Sequence, residues 1–319
     1  MRICPSYMLA WAVPAATFVP PTTQPAVGAL VLRRATYAPF HELRVATPPR
    51  LCTADGEMHE RWMRYAIRLA ERGRLTTCPN PWVGCVIVDS DGETVLAEGF
   101  HERKGGKHAE AAALADARAR GLTPEQLGRS TVYVTLEPCH RGPGKTTPPC
   151  DEALVGAGVR RLHVALLDPD PDFGGGVAHL RQEGVEVTVG TAAADAEASL
   201  RPYLYQRRRQ RPWVVLKVAS SSDGAIACED GSSQWISGTQ AREHSQRLRA
   251  ESQAIIVGSG TATVDQPRLT RRLSPQAFPQ GWLMPTSTLL RVILDGRGRL
   301  AEGPLLDTSV APTLICTTD

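Results

Sequence analysis

Three side chains suited to hold a soft divalent metal, and one suited to move protons, fall within a short span of the chain. His108 and Glu110 stand two positions apart in His-Ala-Glu; Cys139 and Cys150 each follow a proline, with ten residues between them. One imidazole and two thiolates suit Zn2+, and three protein ligands leave the fourth position to water, the pattern of a catalytic rather than a structural zinc. Glu110 is too near His108 in the chain to be a natural fourth ligand and is better placed to carry protons. Singly, the pieces say little. A His-x-Glu on a surface helix is common, and a cysteine after proline is often just a small buried residue. The stretch Thr135 to Cys150 also reads as a disulfide loop or a turn rich in proline and glycine.

The elements that position these residues follow from periodicity and turn chemistry. Apolar residues at Met58, Trp62, Tyr65, Ala66 and Leu69 share one helical face, and Gly73 follows as a stop. VGCVIVD predicts a strand, SDGE a hairpin turn and TVLAEGF the returning strand. HAEAAALADARARG predicts a helix ending at Gly121, with His108 and Glu110 at its head. TVYVTLE predicts a strand leading to Cys139. CDEALVGAG predicts a short helix starting at Cys150, where unpaired amides and the positive dipole end favour a thiolate. RRLHVALL, the turn cluster DPDPDFGGG, VAHLRQEG and VEVTVG continue as strand, turn, helix and strand. A hairpin followed by helix-strand alternation predicts a three-layer α/β/α domain over residues 53–190. A polar, basic helix over 191–211 reads as a linker, with Arg207 to Arg211 as a solvated run. A strand over RPWVVLKVASSSDGAIA opens a second α/β unit over 212–319, with strands at AIIVG, RVILD and TLICTT and a helix at GTQAREHSQRLRAE.

Composition narrows the class. In 319 residues, 42% are hydrophobic and 22% charged, and no apolar run approaches the roughly 20 residues of a membrane span. A net charge of +3 and 5% aromatics give no case for a nucleic-acid partner. The 8 cysteines are too sparse for a disulfide scaffold, so a reducing compartment with one functional pair fits better. No acidic residue precedes Glu42, while Arg2, Arg33 and Arg34 stand among many Pro, Ala, Ser and Thr. Residues 1–52 therefore read as an organelle-targeting leader, with a plastid as the favoured address; a disordered extension on a cytoplasmic protein is the alternative.

His-x-Glu followed by Pro-Cys is the arrangement of zinc deaminases, in which zinc activates a water and the glutamate shuttles the proton that lets ammonia leave. The ten residues between the cysteines depart from the two-residue spacing of the nucleoside and tRNA enzymes. CPNPWVGCVIV, GFHERKGGKHAEAAAL, YVTLEPC and GKTTPPC resemble the deaminase half of the bifunctional riboflavin-biosynthesis deaminase-reductase, the RibD family. LKVASSSDGAIA, SSQWISG, RLRAES and VGSGTATVDQPRLTRR resemble the start of its reductase half. The resemblance implies a cytidine-deaminase-like three-layer domain followed by a partial dihydrofolate-reductase-like α/β domain. It also implies hydrolytic deamination of 2,5-diamino-6-ribosylamino-4(3H)-pyrimidinone 5′-phosphate to 5-amino-6-(5-phosphoribosylamino)uracil. By the same resemblance His108, Cys139 and Cys150 hold Zn2+, Glu110 moves protons, Asn80 and His101 line the pyrimidine and ribose-phosphate pocket, and Lys145 meets the phosphate. The implied partner is thus a phosphorylated pyrimidine; a homo-oligomer is left open. The loop between the cysteines departs from the family: His140 follows Cys139 directly, one position early, and the loop gains residues in RGPGKTT.

In the second half the resemblance sets Ala219, Trp235, Thr261 and Asp265 against positions that contact NADPH, and Ser233, Arg249, Leu269 and Arg272 against positions that contact substrate. Gln266 and Gly296 replace a usual Asp and Ser. The family continues beyond the position matched by Asp319 with a glycine-rich cofactor loop and a substrate-holding glutamate. The expectation is a deaminase that does not by itself reduce the ribosylamino sugar; the alternative is the bifunctional enzyme.

Overall fold

The computed structural model describes residues 54–141, 148–233, 235–272 and 274–318. The leader expected over 1–52 and the expected phosphate contact Lys145 lie outside the described residues.

The first sheet is built around β1 (Gly84–Val88), which lies between β2 (Val95–Phe100) and β3 (Thr131–Val134), antiparallel to each, and is buried on both faces by helices. β4 (Arg161–Val164) and β5 (Glu186–Val189) extend the sheet in parallel, giving the order β2-β1-β3-β4-β5. Alternation along β1 divides the core. Cys85 and Ile87 face a cluster built on α2 (Ala109–Ala119), α4 (Cys150–Gly156) and α5 (Gly176–Gln182), while Val86 and Val88 face α1 (Ala54–Glu71) and α6 (Ala193–Arg209). Helices on both faces make the three expected layers.

Close approach at Gly99 fixes the height of α2 over the sheet. A Cβ there would lie 2.2 Å from the Ala113 amide nitrogen and 2.7 Å from the Ala109 carbonyl oxygen, so the helix that begins just after His108 rests directly on β2. A short helix that periodicity does not reveal, α3 (Pro124–Arg129), opens with a capping box: Thr123 and Gln126 each bond the other's backbone amide.

The second sheet contains β6 (Ala254–Gly258), β7 (Leu290–Leu294) and β8 (Thr313–Cys316), all parallel and in that order. α7 (Thr239–Glu251) precedes β6, and α8 (Ser259–Val264) follows it. The strand expected over residues 211–227 does not form. The segment pairs with neither sheet, which leaves β6 as an edge strand, and Val218 and Ile226 stay exposed. The two halves are fastened together. Arg74 is paired with Glu71 of α1 at 3.1 Å and with Glu251 of α7 at 2.9 Å, while Leu75 packs with Ala250 and Phe278. No helix among the described residues is long and apolar enough to cross a membrane.

Candidate active site

β3 delivers the chain toward Cys139, and the head of α4 returns beside it. The Cys150 amide donates to the Cys139 carbonyl at 3.1 Å, so backbone hydrogen bonding holds the two cysteines together across the intervening loop. His108 is the N-cap residue of α2, in extended backbone, and its side chain makes no capping bond. Its ring is turned to the thiols instead, with Nδ1 3.3 Å from Cys139 Sγ and 3.4 Å from Cys150 Sγ. These three ligand atoms all lie within 4.8 Å of one another, and both cysteines are buried. One nitrogen and two sulfurs converging at that separation fit a single Zn2+ and leave room for a water. The cysteine spacing that looked anomalous therefore places both thiols correctly, because the loop is pinned at its two ends.

Glu110, in the first turn of α2, is 3% exposed and lines the same cleft. Burial, reinforced by the Cys139 thiolate, pushes its carboxyl up to about 7. A carboxyl poised there can take and return a proton near neutral pH.

Asn80 and His101 also line this cleft, a cavity of about 140 Å3, and His101 bonds to Asn80 there. Its Nδ1 lies 2.8 Å from the Lys107 carbonyl, which can only accept, so Nδ1 carries the proton and Nε2 carries the lone pair. The Asn80 amide Nδ2 therefore donates to Nε2, at 3.2 Å. Burial lowers the His101 pKa, so the ring is neutral, with both nitrogens engaged. His101 thus orients Asn80 at the wall of the cleft that both residues line.

Two further residues were not singled out from sequence. Glu137, read only as the end of a strand, is buried and accepts from the Gly175 and Val177 amides through Oε1 and from the Asp168 amide through Oε2. It thereby anchors the turn cluster beside Cys139; a charged residue ending a strand of buried apolar residues was the available signal. Arg207, assigned to a solvated run, lines the cleft, pairs with Asp170 at 3.1 Å and lies over the Tyr203 ring at 5.3 Å. The solvated reading holds for Arg208 and Arg209, which are exposed, but not for Arg207: the preceding turns of α6 pack Leu200, Tyr203 and Leu204 into the core and carry it to the cleft mouth.

In the second half, Ala219, Arg249, Thr261, Asp265 and Leu269 line one cleft beside β6 and β7. Leu269 holds a left-handed backbone, φ 50°, while buried, a strained conformation for a branched side chain. Ser233, Trp235 and Arg272 do not line this cleft. Trp235 is 75% exposed beneath the Arg242 guanidinium, and the Arg272 amide donates to Gln246.

Comparison with known proteins decides the family. The cytidine and deoxycytidylate deaminase zinc-binding region matches residues 56–166, and the RibD C-terminal domain matches residues 212–319. A Thermotoga maritima structure described as a diaminohydroxyphosphoribosylaminopyrimidine deaminase/5-amino-6-(5-phosphoribosylamino)uracil reductase superposes with a TM-score of 0.73 at 35% identity, covering 83% of this chain and 71% of that one. The chain belongs to the RibD family. Acinetobacter baumannii RibD superposes with a TM-score of 0.70 at 39% identity, covering 82% of this chain and 70% of that one. The riboflavin biosynthesis protein RibD of Chlamydia pneumoniae is 46% identical over 260 residues, 81% of this chain and 65% of the relative; that of Escherichia coli is 42% identical over 246 residues, 76% and 64%. The chain thus spans about 65% of the length of these RibD relatives. A deaminase-like α/β fold followed by a RibD C-terminal, dihydrofolate-reductase-like domain is the architecture expected from the motifs.

Proposed function

We propose that this chain hydrolytically deaminates 2,5-diamino-6-ribosylamino-4(3H)-pyrimidinone 5′-phosphate in riboflavin biosynthesis. The observation that carries the proposal is the convergence of the His108, Cys139 and Cys150 ligand atoms at a cleft that buried Glu110 also lines, in a RibD-family chain. Zinc, when bound by those three residues, supplies the Lewis acid that makes water a nucleophile at neutral pH. Glu110, buried in the first turn of α2, would take a proton from the attacking water and return one to the departing amine. Asn80, with its amide nitrogen held by His101, keeps Oδ1 as an acceptor for an N–H of the pyrimidine. Arg207 supplies a planar cation for the substrate phosphate at the cleft mouth. Leu136, Pro81 and Phe173 give the ring an apolar wall.

The test is ammonia release from this substrate by the full chain, with zinc content measured in parallel. Cys150→Ser is expected to lose both together. Full turnover by a chain carrying no zinc would overturn the proposal.

A second reading rests on the cleft beside β6 and β7. The residues there fit a nicotinamide dinucleotide in part: Ala219, Thr261 and Asp265 gather beside Arg249 and Leu269, while Trp235 stands outside. On this reading the chain is bifunctional and also takes NADPH and the deaminated product. NADPH oxidation on adding that product supports it, and its absence favours the deaminase alone. Composition of residues 1–52 supports a plastid address, which import into isolated plastids would test.

A further inference from the structure

Next to the zinc ligands lies a second convergence of donor atoms with no thiolate in it. His140, Asp151 and His179 come from three segments: the turn after β3, the first turn of α4, and α5. Their ligand atoms lie within 4.8 Å of one another. The Asp151 side chain is completely buried, and its two oxygens are used differently. Oδ1 accepts from the Glu152 amide at 2.8 Å. Oδ2 faces both imidazoles, 2.5 Å from His140 Nδ1 and 2.8 Å from His179 Nδ1.

Hydrogen bonding accounts for the His140 contact but not for that of His179. His179 Nδ1 is within bonding distance of Oδ2, yet it is not aligned with it and makes no hydrogen bond. Two ring nitrogens crowd one oxygen from different directions, as ligand atoms do around a common point. Three donors on one divalent metal stand about 3 Å apart, so a small separation of the present contacts would admit an ion. A fully buried carboxylate also requires a positive partner. Glu152, the nearest acid on α4, is already held by Arg141 at 2.6 Å. His179 Nε2 is turned to Glu183, at 3.8 Å, an outer carboxylate of the kind that orients a ligating imidazole. The two imidazoles remain about one third and one quarter exposed, which leaves a route for an ion and its waters.

We propose that His140, Asp151 and His179 form a second metal site, for a divalent transition ion that prefers imidazole and carboxylate, such as Zn2+, Co2+ or Ni2+. His140 and Asp151 are the chain neighbours of Cys139 and Cys150, so an ion there braces both thiol-bearing segments against α5.

The experiment is metal stoichiometry on the full chain. Protein stripped of metal, reloaded with Co2+ and desalted is read by elemental analysis and by absorbance. The wild type is expected to hold two cobalt ions per chain: one with the intense thiolate-to-cobalt band of the His108 site, one with only the weak visible bands of nitrogen and oxygen ligation. His179→Asn is expected to hold one, with the thiolate band intact. The double variant Cys139→Ser with Cys150→Ser is expected to keep the weak bands and lose the intense one, so the second site is read even where one variant folds poorly. A wild type holding a single ion, or His179→Asn holding as many as the wild type, overturns the proposal.

Discussion

The Asn80 amide donates to the Nε2 of a neutral, buried His101, and that histidine is itself held by the Lys107 carbonyl. A cleft residue suited to read the pyrimidine is thus oriented by a group that need not touch it. His101→Phe keeps the ring volume but removes the acceptor. It is expected to retain zinc and lower kcat/KM roughly tenfold or more, the cost of one unsatisfied buried hydrogen bond. Ammonia release and metal content measured together check this.

Glu110→Gln preserves shape and hydrogen bonding but not the proton. Turnover is expected to fall by about 10²–10⁴-fold with zinc content unchanged. The same substitution should also remove from the pH–rate profile the limb that the Glu110 carboxyl produces.

Arg207→Ala tests whether the cation at the cleft mouth meets a phosphate. A charge-assisted hydrogen bond lost there raises KM for the phosphorylated substrate roughly tenfold or more and leaves KM for the dephosphorylated ribosylamine nearly unchanged. Equal changes for both compounds would assign Arg207 to its structural contacts with Tyr203 and Asp170.

Acid should weaken the fold through His163. Burial, with the stacked His59 ring 4.0 Å away, lowers its pKa from 6.5 to about 4. An unfolded chain takes up this proton near 6.5 and the folded chain only near 4, so stability is full above 6.5 and declines as pH falls through that window. The loss is roughly 2 kcal/mol, allowing for a partly solvated ring. His163→Gln is expected to flatten this part of the curve in urea titrations between pH 7 and 4.

The convergence of His108, Cys139 and Cys150 was legible because these residue types are chemically distinctive and the elements that carry them periodic. His108, Glu110 and Cys150 each mark a helix head that helix patterning locates well. The positioning role of His101 was not legible, because it depends on a carbonyl six residues away that no side-chain pattern encodes. Arg207 was misjudged because it opens a run of like charges, and only the rotation of α6 separates it from its exposed neighbours. α3 was missed for its brevity, although Thr-Pro-Glu-Gln carries a capping signature. The strand expected after Arg211 failed for another reason. β propensity is local, but a strand exists only where it pairs with another, and this segment pairs with neither sheet.

The contact of Gly99 with α2 has a consequence for heredity. Every amino acid one nucleotide change away from a glycine codon carries a Cβ, and here any Cβ strikes the backbone of the helix that carries Glu110 and is headed by His108. Codon 99 therefore offers no silent route to a different residue. A chain that keeps Glu110 and His108 at this height must keep a glycine that is not itself among the residues lining the cleft.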